Sequence, residues 1–448
     1  MLLAGCGRIG FASLADSSNS GDGGGDDDAD TTPPSPHTTA YSVVDTAGIT
    51  ATGSEADGTH LVFVDNTPGM NGNLVIFREG DNAATIKAYV STDAGITWTR
   101  YILMPTNTVG INAMGACQDT VDHLFHLIWL DTSVADQYGS WKPTYTGGDI
   151  TGFTFVTAFS FFDDGGDSPG PRDIAEILDA SGHHRLVFAG TGPSSGSTGR
   201  YKLAVTTVAA GLAPSSQTDW AKASDATQTG IDDQLLANNF ATGDGPNSYM
   251  VTVSSNLVGG VTAPIVVVAG LPIDEKLLAW TITPIGTENF AISAAVTLST
   301  FFGSGTGTRA DASLSLASAP SGVAIVAYNE ASAAPSPGLH VATVDTSGNV
   351  VVDAYPQPST STQARHAVIA TDSASRPGVL YADGAGNILG TLFWTPSWLP
   401  AAQVSTSSTP AGAWNVSNVW RPGGQDAFGV YRDAGAATTT TFSQVYWR

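Results

Sequence analysis

Charge is scarce in this chain. Only 13% of its 448 residues are Asp, Glu, Lys or Arg. With so few of the long charged residues that favour helices, and so many Gly, Ser, Thr and Val, helix is expected to be rare. Basic residues are rarer still: Lys and Arg number 17 against 40 Asp and Glu, a formal net charge of −23. Such a field repels nucleic acid and anionic membranes, so neither is expected as a partner. Cysteine is limited to two residues. That excludes a disulfide framework, and Cys117, set in Ala113-Met114-Gly115-Ala116-Cys117, reads as a small buried hydrophobe. The sequence also lacks an apolar run of ~18 residues, a Cys/His cluster, a P-loop and a Gly-x-Ser-x-Gly elbow. A helical membrane span, a metal and a nucleotide cofactor are therefore not expected. His123 and His126 are three apart, a spacing that on a strand sends the side chains to opposite faces, as it does for the adjacent His183 and His184.

What is abundant is turn chemistry: 51 Gly and 24 Pro among short runs of Val, Ile, Ala and Thr. A chain this long is either several domains or one large closed all-β architecture, and the composition favours the second. A repeat supports it. A Gly/Ser/Asp-rich turn leads into a short apolar run, then an aromatic residue, a spacer and an acid. Copies are His60–Asp65, His126–Asp131, Ile325–Glu330, Gly378–Asp383 and Gly429–Asp433. Arg185–Gly190 and Met250–Ser255 keep the strand and lose the acid. With residues 63, 129, 188, 253, 328, 381 and 431 as equivalents, each interval holds about four strands of ~5–6 residues plus turns. That unit builds a β-propeller, here with seven blades, although six or eight also fit. Leu74–Glu79 is a further copy too close to the first to begin a blade. The innermost strand is expected to precede each repeat, as at Arg365–Thr371, and two outer strands to follow, as at Leu339–Asp345 and Asn349–Ala354. Asp173–Leu178 could also be helix. Pairing a first strand, Ala40–Val44, with the last, Thr440–Trp447, would close the ring and hide both edges.

The N-terminal region reads differently. Residues 16–36 hold Gly23-Gly24-Gly25, Asp26-Asp27-Asp28 and Pro33-Pro34-Ser35-Pro36 and little that can bury apolar surface. Residues 1–37 are thus expected to be a disordered linker and 38–448 a single propeller domain. Leu3-Ala4-Gly5-Cys6 resembles the lipobox of bacterial lipoproteins, in which the cysteine is acylated after cleavage. With the low-complexity linker behind it, this resembles surface lipoproteins of predatory and soil bacteria. The resemblance implies an exported outer-membrane or cell-surface lipoprotein of a Gram-negative bacterium, touching the membrane only through a lipid on Cys6. Only Met1 and Leu2 precede the box; either the start codon lies upstream or the match is fortuitous.

Ser91-Thr92-Asp93-Ala94-Gly95-Ile96-Thr97-Trp98 matches the Asp-box, S-x-D-x-G-x-T-W, and so resembles the sialidase-like Asp-box (BNR-repeat) propeller proteins. The structural residues implied are Ser91, Asp93, Gly95, Thr97 and Trp98: a hairpin turn with an Asp acceptor, a conformationally free Gly and a packed Trp. Phe77-Arg78-Glu79-Gly80 resembles the strand before the first box in that family. The match covers roughly residues 73–100.

Topology suggests where a ligand would sit. Successive strands are antiparallel, so starts of innermost strands and ends of second strands share one face of the disc, opposite the Asp-box turn. The acids Asp65, Asp131, Glu330, Asp383 and Asp433 are expected to rim that mouth. Arg172, Arg309 and Arg365 join them, with Asp173 and His366 beside two of the arginines and Tyr431 next to Asp433. Two readings compete. Aromatics beside acids suit recognition of a glycan or protein by a monomeric binder. The sialidase resemblance implies instead three arginines clamping a carboxylate (from Arg78, Arg172, Arg309 and Arg365), a Tyr nucleophile activated by Glu (Tyr431 or Tyr328 with Glu330) and an acid/base Asp such as Asp173. No motif fixes those roles, so the non-enzymatic reading is favoured, with a scaffold of an envelope complex as a further alternative. Phe393–Trp398 is either an exposed sugar platform or packing between the last blades.

Overall fold

The computed structural model describes residues 35–38, 42–45, 61–79, 86–103, 111–131, 136–162, 173–192, 200–208, 211–222, 250–271, 275–285, 290–303, 313–330, 334–358, 365–383, 387–405, 414–421, 425–433 and 440–447. They form a seven-bladed β-propeller. Each blade is a separate antiparallel sheet of four or five strands. The innermost strands, in blade order, are Leu61–Val64, Ile111–Gln118, Asp173–Leu178, Met250–Val253, Leu314–Ser318, Arg365–Thr371 and Trp414–Arg421. The blade 7 strand packs beside that of blade 1, completing the ring. Asp173–Leu178 is a strand, and among the described residues the only helical element is the single 3₁₀ turn Gln217–Asp219.

Closure is made by the two ends of the chain. Thr440–Trp447, the third strand of blade 7, pairs with two N-terminal strands, Pro36–Thr38 (Pro36 opposite Trp447) and Ser42–Asp45 (Ser42 opposite Phe442). The last strand's outer edge is thereby covered, which removes a template for aggregation. Pro36 and His37, assigned by sequence to the linker, belong to the ring.

The apolar core lies between blades. Val75, Phe77, Met114, Phe125, Leu127, Trp129 and Trp141 fill the seam of blades 1 and 2. Ala175, Val187, Val251, Ile265 and Trp280 fill that of blades 3 and 4, and Ile325, Val341, Ile369, Leu380 and Leu392 that of blades 5 and 6. Val64, Ile76, Tyr89, Val44 and Phe442 close the seam of blades 1 and 7. Because each sheet is covered on both faces, its middle strands read as continuous apolar runs instead of alternating ones. Leu74–Phe77, Ile265–Ala269 and Val379–Ala382 are such runs, all buried. Each fully buried Val, Leu or Phe contributes about 1.5–3 kcal/mol.

Double-sided burial also explains two misplaced repeats. The repeat equates Leu61–Val64 and Met250–Val253 with second strands, yet they are innermost. The second strands are Leu74–Glu79 and Ile265–Leu271. Leu74–Glu79, which follows the first copy too closely to begin a blade of its own, is the true equivalent in blade 1. Cys117 is buried, as its context implied.

Among the described residues, blade 2 carries the longest edge strand, Asp149–Phe162, paired with Asp136–Thr146 through three register shifts. The bulges turn its side chains successively to both neighbours: Phe153 packs on Phe77 and Phe125 toward blade 1, and Phe159 on Tyr138 toward blade 3. Bulges of this kind also blunt a long free edge.

Candidate functional site

A recurring side chain organises the turns: an Asp at the first position accepting backbone N–H groups two and four residues on. Between innermost and second strands, Asp179 binds the N–H of Ser181 (2.8 Å) and His183 (2.9 Å), and Asp372 those of Ala374 (3.0 Å) and Arg376 (2.8 Å). Asp345 does the same between third and fourth strands, to Ser347 and Asn349. Such carboxylates satisfy turn donors. The octapeptide Ser91–Trp98 is a relative of this device. Asp93 accepts from the N–H of Ile96 (3.1 Å) and Thr97 (2.8 Å) and from both hydroxyls, Ser91 (2.8 Å) and Thr97 (2.5 Å). Desolvation raises its pKa, but these hydrogen bonds outweigh it and hold the carboxyl below the ordinary range. Gly95 lies at φ 89°, and a Cβ there would stand 2.3 Å from the Phe442 ring. Trp98 packs edge-on against Phe442 and donates to Ser42 Oγ (3.1 Å), tying blade 1 to the N-terminal strand.

The face carrying these innermost-to-second and third-to-fourth strand turns also carries linked polar networks. Asp65, at the end of its innermost strand, lies on this face and not on the opposite mouth where the repeat placed it. Its carboxylate accepts from Gln118 (2.8 Å), Thr67 (2.8 Å) and Tyr145 (3.0 Å) and is only 4% exposed. Burial pushes the Tyr145 phenol well up, with the Asp65 charge adding to the effect. In blade 2, Asp119 accepts three N–H groups on Oδ1, and its Oδ2 meets His126 Nε2 at 2.8 Å. His126 Nδ1 lies 2.7 Å from the Tyr138 hydroxyl. Burial raises the Asp119 pKa, but the His126 hydrogen bond and charge and the backbone donors bring it below the usual value. From blade 3 the fully buried Glu176 reaches across to the N–H and hydroxyl of Thr120 in blade 2, 2.8 Å each. The same carboxylate holds His184 Nδ1 at 2.5 Å. His123 is in a turn at φ 57°, with Nδ1 3.0 Å from Asn66 Oδ1. These groups are consumed by one another, and among the described residues no set of three His, Cys, Asp or Glu is placed to hold a metal.

On the opposite mouth, the ends of second strands and starts of innermost strands gather as topology required. Asp131, Asp383 and Asp433 lie at or just past second-strand ends and Arg365 begins an innermost strand, with Tyr431 two residues before Asp433. Arg172, Arg309 and Cys6 lie outside the described residues. Several of the acids bind the protein itself. Asp173 accepts from Thr252 Oγ1 (2.7 Å) and the Val253 N–H (3.0 Å), stapling blade 3 to blade 4. Asp383 caps a turn by accepting from the N–H (2.8 Å) and the amide (3.0 Å) of Asn387. Glu330 accepts from Ser299 Oγ (2.5 Å), and its other oxygen lies 3.5 Å from His340 Nε2. Tyr328 is buried and donates to the Leu298 carbonyl (3.1 Å), its pKa pushed up by burial and by Asp353 and Glu330.

A group that sequence reasoning passed over surrounds His340. This ring is 4% exposed and stacks on Tyr328 (5.5 Å between centroids, 17°). Its Nε2 faces the Ser336 carbonyl (2.7 Å) and its Nδ1 the carboxylate of Asp353 (2.6 Å), itself 58% exposed. Just beyond, Tyr355 lies edge-on to Phe393 (4.7 Å), which meets Trp398 at 5.5 Å, and Trp398 Nε1 donates to the Pro356 carbonyl. Phe393–Trp398 therefore packs at the seam of blades 5 and 6. Within it, Trp394 lies under the Arg376 guanidinium (3.9 Å).

No family model matches the chain, and no curated protein sequence does. Solved structures do match. The BP39L lectin from Burkholderia pseudomallei superposes with a TM-score of 0.56 at 10% identity, covering 85% of this chain and 97% of that one. A fungal lectin from Aleuria aurantia, described as a six-bladed β-propeller with a fucose recognition mode, gives 0.40 at 12% identity, covering 75% and 93%. The polysaccharide lyase Uly1 gives 0.40 at 12%, covering 93% and 100%. At these identities the BP39L likeness shows the propeller fold.

Proposed function

We propose that this chain is a carbohydrate-binding propeller, exported and held at the outer membrane or cell surface as a monomer by a lipid on Cys6. The observation that carries the binding reading is the fold: a closed ring that overlays a bacterial lectin over most of both chains. An all-β disc of this kind presents rigid turns on two faces, a suitable frame for acids and aromatics that bind hydroxyls and stack on sugar rings. Register sets the orientation that an anchor at Cys6 would impose. Pro36 pairs with Trp447 at the end of a third strand, so the chain enters the disc on the face of the Ser91–Trp98 turn. Attachment through Cys6 would then leave the mouth of Asp131, Asp383 and Asp433 facing away from the membrane. A glycan array probed with the full chain tests the binding reading; an array without signal, together with capture of a protein ligand, would replace it with protein recognition. Labelling with a radioactive fatty acid, lost in Cys6→Ser, tests the anchor.

The hydrogen-bonded Ser91–Trp98 turn, shared in sequence with Asp-box proteins, carries a second reading, a sialidase-type exo-glycosidase. It predicts release of 4-methylumbelliferone from its sialoside, lost on changing Arg365 to Ala. A preparation that binds glycans and releases no fluorophore rules it out.

A further inference from the structure

We propose that the outer seam between blades 5 and 6 is a subsite for a neutral pyranose sugar, built from Asp353, Tyr355, Gln357 and Trp398. This rests on the carbohydrate-binding reading above and adds to it the place and the class of sugar.

The segment that follows the last strand of blade 5 is pinned at four successive points. Asp353 Oδ1 is held by His340 Nδ1 (2.6 Å), the Tyr355 ring by Phe393 (4.7 Å) and the Pro356 carbonyl by the Trp398 indole. The Gln357 amide donates to the Ser336 carbonyl (3.0 Å) and lies 2.8 Å from His340 Nε2. Asp353 and Gln357 meet the two nitrogens of one imidazole, that of His340, so their polar groups lie within the length of one sugar ring and its substituents, with Tyr355 between them in the chain. Tyr355, Trp398 and Gln357 are half-buried and Asp353 is exposed. A firmly held segment thus offers solvent an aromatic surface flanked by a carboxylate and an amide, the combination that takes the apolar face of a pyranose and its hydroxyls together.

Packing alone does not account for the arrangement. His340 is 4% exposed, stacked on Tyr328, and spends its ring nitrogens orienting groups at the surface. Asp353 adopts φ 52°, a left-handed conformation unfavourable for a residue with a Cβ. Here only Oδ1 accepts from His340 and the side chain stays 58% exposed, with an oxygen to spare for adjacent hydroxyls. Charge selects the class of sugar. Asp353 sits with Glu330 near His340 in a chain of net charge −23, so a sialic acid or uronate carboxylate is repelled and a neutral hexose or deoxyhexose is accepted.

The full chain is first screened on a glycan array and then titrated, by tryptophan fluorescence and calorimetry, with methyl α-L-fucoside, methyl α-D-mannoside and 3′-sialyllactose. Asp353→Asn, Tyr355→Ala and Gln357→Ala are compared with wild type after circular dichroism shows them folded. The expected result is binding of a neutral saccharide, weakened at least tenfold in Asp353→Asn and Tyr355→Ala and severalfold in Gln357→Ala, with sialyllactose bound no better than the neutral probes. Wild-type binding that all three variants retain would overturn the subsite and leave the carbohydrate reading standing. A preference for sialyllactose would overturn the charge argument. An array with no bound saccharide would sink the carbohydrate reading and this subsite with it.

Discussion

Glu176 offers the sharpest test of how the blades are joined. Its fully buried carboxylate accepts two hydrogen bonds from Thr120 of the neighbouring blade and holds His184 within its own. In Glu176→Gln one oxygen still serves Thr120, while the new amide, a donor, faces a donor or the imidazole. The loss of a charge-assisted hydrogen bond and the stranding of a buried donor together cost about 2–4 kcal/mol. At ~2 °C per kcal/mol, the low end for large domains, melting should fall by about 4–8 °C. The pH dependence is a second signature. The His184 pKa is raised, chiefly by the Glu176 hydrogen bond, against the opposing effect of burial. A raised folded value means that the stabilisation is full below the unfolded value of about 6.5 and is lost as pH rises through the folded one. Calorimetric melts of wild type from pH 5 to pH 9 should show that decline, and Glu176→Gln should flatten it. A variant melting within a degree of wild type, with the same pH profile, would refute the view that this carboxylate clamps blades 2 and 3.

Gly95→Ala should destabilise the ring by about 2–3 kcal/mol, because it forces a Cβ against Phe442 and strains a residue at φ 89°; a denaturant midpoint equal to wild type would contradict the closeness of blades 1 and 7. Asp93→Ala removes four acceptor contacts in a largely exposed turn and should cost about 1–2 kcal/mol by the same measurement. Deleting residues 1–45 bares the outer edge of Thr440–Trp447, so the truncated chain should melt lower and form soluble oligomers on gel filtration; a monomer of unchanged stability would show that the ring closes without its N-terminal strands.

Much of the architecture could be read directly, and the errors have one source. A strand buried on both faces is an apolar run whether it is innermost or second, so Leu61–Val64 resembled the other repeats although Leu74–Glu79 occupies the equivalent place. That slip carried Asp65 to the wrong face. The candidate site was less legible. Asp383 and Asp173 looked like rim groups because an acid after a strand reads alike whether it caps a turn, staples a blade or meets a ligand. Nothing local marks His340 as the support of Asp353, since the contact joins the third strand of a blade to the segment after its fourth, 13 residues on. Phe393 and Trp398 were visible as an aromatic stretch, but their partner Tyr355 comes from the preceding blade.

The amino-acid sequence by itself determined the all-β character, the four-strand period, the turns that Asp and Gly build and the pairing of the two chain ends, because these follow from short-range patterning of apolar runs and turn residues. Tertiary structure alone decided which strand is innermost, which face each acid occupies and which polar groups are used up by neighbours. Those outcomes depend on contacts between blades, and residues some 50 to 80 apart, such as Thr120 and Glu176 or Asp173 and Thr252, meet only when seven sheets close into a ring.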